Sequence, residues 1–307
     1  MLLGLLSEAL RRELKLVEEI TRKQSQETDP LLTGEECIIA SGAGDSYAAA
    51  LAAEAVEAGR VTAVDPLDAL VTPLTSRLAG RCTLLALSVG GRTRSLVELA
   101  RSYKEHGGRV LAVTADSSSP LARVASEVVL LVYGGLARGV GAVRHLAMLS
   151  ALARLVSGVR AEVKQLSGEC SWLASQERAV FTGSAESFSA AIFSALKLYE
   201  VFGSPVRYER LEQLLHAPLF SLSRVVLFQS AVARPQRLEE VVGVLRSSGF
   251  EVYVVEASGR PWDNVVSQSH KVLECLAEIS ERLGIDDPIY RRHPHLDVLT
   301  NLIYVGL

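Results

Sequence analysis

The chain has 307 residues and a mass of 33.0 kDa, and 49% of it is hydrophobic. That is enough for one large core or two smaller ones, since cores tend to divide beyond about 250 residues. Its 32 Lys+Arg against 35 Asp+Glu give a net charge of −3, so composition provides no general pull towards nucleic acid or anionic membrane. Apolar runs such as Val128–Tyr133 fall far short of a membrane span, and neither partner is expected.

Taken in chain order, Met1–Ile20 mixes leucines with Glu8, Arg11, Arg12, Glu13, Glu18 and Glu19. It reads as an amphipathic helix rather than a signal peptide, and residues 1–30 are assigned to it. The four cysteines, Cys37, Cys82, Cys170 and Cys275, are too scattered for a zinc or redox motif, so a reduced, cytoplasmic chain without a metal is expected. Arginine outnumbers lysine and asparagine is scarce, a weak thermophilic signature.

Next comes a repeat. Ser41-Gly42-Ala43-Gly44-Asp45-Ser46-Tyr47 has a counterpart in Thr182-Gly183-Ser184-Ala185-Glu186-Ser187-Phe188. Each follows a short apolar run and leads into an alanine-rich stretch, the signature of strand, tight turn and helix. Leu84–Ser88 is answered by Val226–Ser230 at nearly the same offset. Helices are expected over Thr93–His106 and Gln236–Ser248, returning to strands at Arg109–Thr114 and Glu251–Glu256. The fold class is therefore α/β, with two parallel sheets flanked by helices in a doubly wound, flavodoxin-like manner. The expected domains are 31–157 and 177–285, joined by a linker helix over 158–176 and followed by an irregular tail over 286–307.

In open parallel sheets, ligands sit where strands end and loops enter helices. Gly42 and Gly44 allow a tight turn that brings Ser46 to a helix start, where free N–H groups favour an anion. Ser88-Val89-Gly90-Gly91-Arg92-Thr93 forms a second hydroxyl-bearing loop, and Arg92 adds charge. Taken singly, each loop is better read as a helix cap worth about 1 kcal/mol. The pair points to a phosphate cradle. A dinucleotide fingerprint is incomplete, because Tyr47 stands at the third glycine position.

In the second half, Lys197 and Glu200 are three residues apart on one helix face, a spacing that by itself means only an ion pair. His216 lies in the apolar segment Leu214–Leu219, where a packed or capping histidine is the plain reading.

Together, Gly42–Ser46, Ser88–Thr93, Ala195-Leu196-Lys197-Leu198-Tyr199-Glu200 and His216-Ala217-Pro218-Leu219 resemble the sugar isomerase (SIS) superfamily. The similarity is to two-domain phosphosugar isomerases, archaeal bifunctional phosphoglucose/phosphomannose isomerases and the isomerase half of glucosamine-6-phosphate synthase, and covers about residues 31–300. It implies two tandem SIS domains and a cofactor-free aldose–ketose isomerase of a hexose 6-phosphate, glucose- or mannose-6-phosphate going to fructose-6-phosphate. Ser46, Ser88 and Thr93 match phosphate-holding hydroxyls. Glu200 matches the proton-transferring base, His216 a ring-opening group reaching into a partner subunit, and Lys197 a lysine near the open-chain sugar. Arg138, in Leu136–Gly139, matches an enediolate-stabilising arginine. A homodimer with shared sites follows. Gly90 replaces a serine of the usual phosphate loop, and Arg92 stands where relatives carry Glu or Asn. Two alternatives stay open: a non-catalytic phosphosugar-binding protein, and an aminosugar-phosphate deaminase or isomerase.

Overall fold

Apolar runs of five or six residues, each closed by a glycine- or serine-bearing turn, have no polar face to show to water and fold as strands covered on both sides. In the computed structural model, which describes residues 6–133, 140–174, 179–232 and 238–305, they form two parallel sheets. The chain divides into two units that alternate along the sequence, one of Glu18–Gly135, Val143–Ala161 and His293–Leu307, the other of Met1–Val17, Leu136–Ala142 and Glu162–Arg292.

The first-repeat unit holds a five-stranded sheet in the order β2-β1-β3-β4-β5, made of β1 (Ile38–Gly42), β2 (Val61–Val64), β3 (Thr83–Leu87), β4 (Arg109–Thr114) and β5 (Glu127–Leu130). Ile38–Gly42 and Thr83–Leu87 are buried along their whole length. The helix Asp45–Val56 follows β1, and Arg94–Glu105 follows β3. Leu96, Leu99, Ala100 and Tyr103 of the latter pack on Leu84, Ala86 and Val110. The phenol of Tyr103 bonds the carbonyls of Leu78 and Cys82, and burial pushes its pKa up to about 12.

The second-repeat unit repeats this order over four strands, β7-β6-β8-β9, with β6 (Ala179–Gly183), β7 (Arg207–Arg210), β8 (Arg224–Phe228) and β9 (Glu251–Val255). Thus β6 corresponds to β1 and β8 to β3. A Cβ at Gly42 would meet Ser46 Cβ at 2.7 Å, and one at Gly183 would meet Ser187 Oγ at 2.8 Å, so the same close approach of turn and helix recurs in both units. The helix Ser187–Phe202 follows β6, and the 22-residue helix Pro261–Arg282 supplies much of the buried surface.

Four expectations need correcting. The cysteines are not reduced: Cys37 is joined to Cys82 and Cys170 to Cys275. Ile38 pairs with Thr83 across β1 and β3, so the residues preceding them face each other at a Cα–Cα distance of 4.6 Å. Spacings of 45 and 105 residues hid both pairs.

The linker expected over 158–176 is not a helix in its described part, 158–174, apart from the single turn Ser171–Ala174. Its backbone N–H groups at Glu162 and Lys164 donate instead to Asp263 Oδ1 and Ser267 Oγ, four residues apart on one helix, each at 2.8 Å. Side-chain acceptors on a neighbour thus replace the helical carbonyls. The tail is not irregular either, for Leu296–Ile303 is helical and Ile289–Arg292 forms a 3-10 turn. Finally, residues 1–30 are not one helix. They form Leu6–Leu14 and Val17–Glu27, and the boundary between the two units falls at the start of the second, between Val17 and Glu18.

Candidate functional site

The phosphate loop is built from the strand ends of the first-repeat unit. Gly44, at φ +58°, turns the chain from β1 into the helix, and Ser46 falls in the first turn with 7% of its surface exposed. Neither this helix nor Arg94–Glu105 receives a side-chain cap from its N-cap residue, Gly44 or Thr93. The capping alternative therefore does not account for Thr93. Its hydroxyl lies 3.2 Å from that of Ser88, which also accepts the Gly91 N–H at 3.1 Å.

Gly91 has no substitute here: its φ is +60°, and a Cβ would lie 2.1 Å from Ser119 Oγ. Gly90 is different, with no atom within 4 Å of a would-be Cβ and no positive φ. The serine of related loops would fit at that position.

The loop is braced on two sides. Val89 O accepts from Ala115 N at 2.8 Å and Thr114 Oγ1 at 3.0 Å, and Gly91 O accepts from Leu121 N at 3.0 Å. From the tail, Val305 N donates to Arg92 O at 2.9 Å, Tyr304 bridges to Thr93, and Arg94 donates to Asn301 O at 3.2 Å. The Arg92 guanidinium lies 3.6 Å from Asp116, both partly exposed. Hydrogen bonds from the Ser118 hydroxyl and N–H, with a smaller contribution from Arg92, hold the Asp116 carboxyl below its usual range. Asp116 and the tail were not picked out from sequence. The available signal for Asp116 was its place just past the end of β4, where loops of parallel sheets gather.

The second-repeat unit holds the other candidates. Lys197 is 1% exposed on helix Ser187–Phe202, and its Nζ donates to Val140 O at 2.7 Å and to Glu200 Oε2 at 2.6 Å. It also stands 5.3 Å from the centre of the Phe193 ring. The Glu200 side chain keeps 35% of its surface exposed, so a carboxylate is offered outward from a buried ammonium. This is more than the solvated pair that spacing alone suggested. His216 ends the helix Leu211–His216 and is not packed. Its side chain is 72% exposed, with Nε2 3.4 Å from Glu212 Oε1. Arg138 lies outside the described residues.

Gly42, Gly44, Ser46, Ser88, Arg92 and Thr93 are thus gathered on one sheet, while Lys197, Glu200 and His216 belong to the other unit. Among the described residues, no group of three or more His, Cys, Asp or Glu is arranged to hold a metal ion, and no helix is long and apolar enough to cross a membrane.

Residues 31–153, the first-repeat half, match the model of the SIS domain. No curated protein matches the sequence. Solved structures share its fold: a glucosamine-6-phosphate deaminase from Thermotoga maritima (17% identity, TM-score 0.71, covering 94% of this chain and 98% of that one) is one. Another is the C-terminal domain of glucosamine-fructose-6-phosphate aminotransferase from Francisella tularensis (15%, TM-score 0.71, 91% and 98%). Tagatose-6-phosphate ketose/aldose isomerase from Escherichia coli is a third (16%, TM-score 0.64, 91% and 92%). At these identities they establish an α/β, SIS-type fold.

Proposed function

We propose that the chain is a phosphosugar isomerase of two tandem SIS domains, interconverting a hexose 6-phosphate aldose and its ketose without a cofactor. The observation that carries this reading is the Lys197–Glu200 pair, a partly exposed carboxylate fixed by a buried ammonium, in a fold that also presents the Ser88–Thr93 hydroxyl loop.

In this reading Ser46, Ser88 and Thr93 hold the phosphate, with Gly42 and Gly44 giving the backbone its close approach. Binding energy from that remote group orients the sugar. Glu200 takes the proton from C2 of the open-chain aldose and returns it to C1, as a positioned general base then acid. Cationic donors meet the oxygen charge that develops in the enediolate. Lys197 and Arg138 are assigned there. His216, exposed on its own chain, serves ring opening in the site of a second copy, which makes the active form a homodimer. Glucose- and mannose-6-phosphate are the leading substrates. A cytoplasmic location is compatible with two disulfides if the source is hyperthermophilic, since intracellular proteins of such organisms are rich in them.

A panel of sugar phosphates, assayed for turnover and for exchange of the C2 proton with solvent, tests the proposal. Exchange abolished in E200Q supports it; no exchange with any hexose phosphate overturns it. A second reading, a sensor that binds phosphosugars without turning them over, is favoured by the Arg92–Asp116 pair, which engages the one guanidinium of the loop. It requires ligand-induced stabilisation without exchange. Ammonia release from glucosamine-6-phosphate would mark the deaminase alternative.

A further inference from the structure

The strand β7 (Arg207–Arg210) closes one side of the second-repeat sheet, pairing with β6 in the order β7-β6-β8-β9. A strand in that place turns a row of backbone N–H and C=O groups outward and can pair with a further strand. Arg207, Tyr208 and Arg210 are exposed, so the edge is open. Its side chains alternate between two faces. Arg207 and Glu209 share one, where Arg207 Nη1 donates to Ser221 Oγ at 2.9 Å. Tyr208 and Arg210 share the other: Tyr208 lies 6.4 Å from the Phe188 ring, over which Arg210 stands at 4.6 Å. Apolar surface flanks the strand as well. Phe220 is 85% exposed on the 3-10 turn Pro218–Ser221, and Tyr199 is fixed next to the strand by its hydroxyl bond to Val206 O.

The order of charges decides what can pair there. An antiparallel copy of the same strand, centred on Tyr208, sets Arg207 opposite Glu209 of the second copy, twice by symmetry, and Tyr208 opposite Tyr208. Moving the register by one residue sets Arg207 against Arg210, and moving it by two sets Glu209 against Glu209. Opposite charges and paired aromatics stabilise a cross-strand contact, whereas like charges weaken it. Charges of one sign would simply keep other strands away. Here both signs are present, and one register of self-pairing satisfies them.

We infer that the β7 edge is the face on which a second copy of this chain docks, by antiparallel β7–β7 pairing that joins the two second-repeat sheets into one. The inference rests on the homodimer reading for the existence of the second copy, and it goes further by naming the face and the register. The strand runs directly into the helix Leu211–His216, so the pairing brings the exposed His216 to the side of the chain that meets its partner.

Sedimentation equilibrium on the wild-type chain, on R207E, on E209R and on an equal mixture of the two variants tests this. Wild type is expected to be a dimer. Each variant alone sets like charges opposite each other twice, and its dimer is expected to be weaker by roughly tenfold or more. The mixture is expected to restore the dimer, because one strand then offers two acids to the two arginines of the other. A loss of stability within either chain cannot produce that recovery. Variants as dimeric as wild type, or a mixture that stays apart, overturn the inference while leaving a dimer through another face. A monomeric wild type overturns the homodimer reading along with it. Should a charge reversal prevent folding, Y208K, which sets two ammonium groups together at the symmetry axis, is expected to dissociate the dimer, and a folded, dimeric Y208K counts against the edge.

Discussion

Lys197 and Glu200 share one helix face with Nζ and Oε2 2.6 Å apart, yet only the ammonium is buried. A lysine so enclosed needs its partners, because an unpaired buried charge costs several kcal/mol. The Val140 carbonyl supplies one acceptor and Glu200 the other. The pair is thus both a structural fixture and a means of aiming a carboxylate.

E200Q is expected to lower turnover of a hexose phosphate by about 10²–10⁴-fold, the usual worth of a positioned proton-transfer group. It should remain folded, because the amide oxygen can still accept from Lys197. K197M should be the more destabilising of the two. It strips the Val140 carbonyl of its donor, at about 1–3 kcal/mol. Steady-state kinetics beside urea unfolding separates the two effects.

The adjacent glycines of the phosphate loop should respond in opposite ways. G90S meets no neighbour, so its melting temperature should be unchanged. Its added hydroxyl should tighten phosphate binding by about two- to tenfold, the worth of one hydrogen bond. G91A places a Cβ against Ser119 at positive φ and should cost about 1–3 kcal/mol or more. Thermal unfolding with and without phosphate reads both.

Thiol titration under denaturing, non-reducing conditions should find no free cysteine, since all four are paired. Reduction should lower stability markedly. Closing loops of 45 and 105 residues constrains the unfolded chain by roughly 4 and 5 kcal/mol in the chain-entropy description, and measured values commonly run to about 2–4. Melting curves of C37S and C275S, each with its partner also replaced by serine, assign the contribution of each bridge. An unchanged melting temperature after complete reduction would contradict the pairing.

Acid should act on the second-repeat unit through Asp263. Burial by itself would push this carboxyl up, but the Arg260 side chain and the backbone N–H groups of Glu162 and Arg260 outweigh that and hold it below the usual range. A depressed folded-state value means that the stabilisation is complete above the unfolded carboxyl's pKa, near 3.9, and is lost as pH falls through the folded one. D263N should therefore be less stable at neutral pH and show a flatter decline below about pH 4 than wild type. Unfolding measured from pH 7 to pH 2 provides the check.

Much of the fold was legible because local signals agreed with it. Apolar runs closed by glycine turns located β1, β3, β6 and β8, and Arg109–Thr114 is the strand expected. The recurrence of one turn motif marked the two repeats, whose sheets share a strand order. Less legible were features made by residues far apart in sequence. Neither Cys37 nor Cys82 carries any local mark of its partner, and only the β1–β3 register brings them together. Residues 158–170 have acceptable helix formers, yet Asp263 and Ser267 capture their N–H groups. Within the site, the hydroxyl loop was readable from its composition. The burial of Lys197, the exposure of His216 and the tail's grip on Arg92 depend on packing that spacing cannot express.

The alternation of the two units along the chain has a practical outcome. Val17, Gly135, Ala142, Ala161 and Arg292 each mark a point where the polypeptide passes from one unit to the other. No single scission can yield two self-sufficient halves, so a gene split at the midpoint of the repeat would produce fragments that each lack part of both bodies. Complementation between such fragments, rather than independent expression, is the way to dissect this protein.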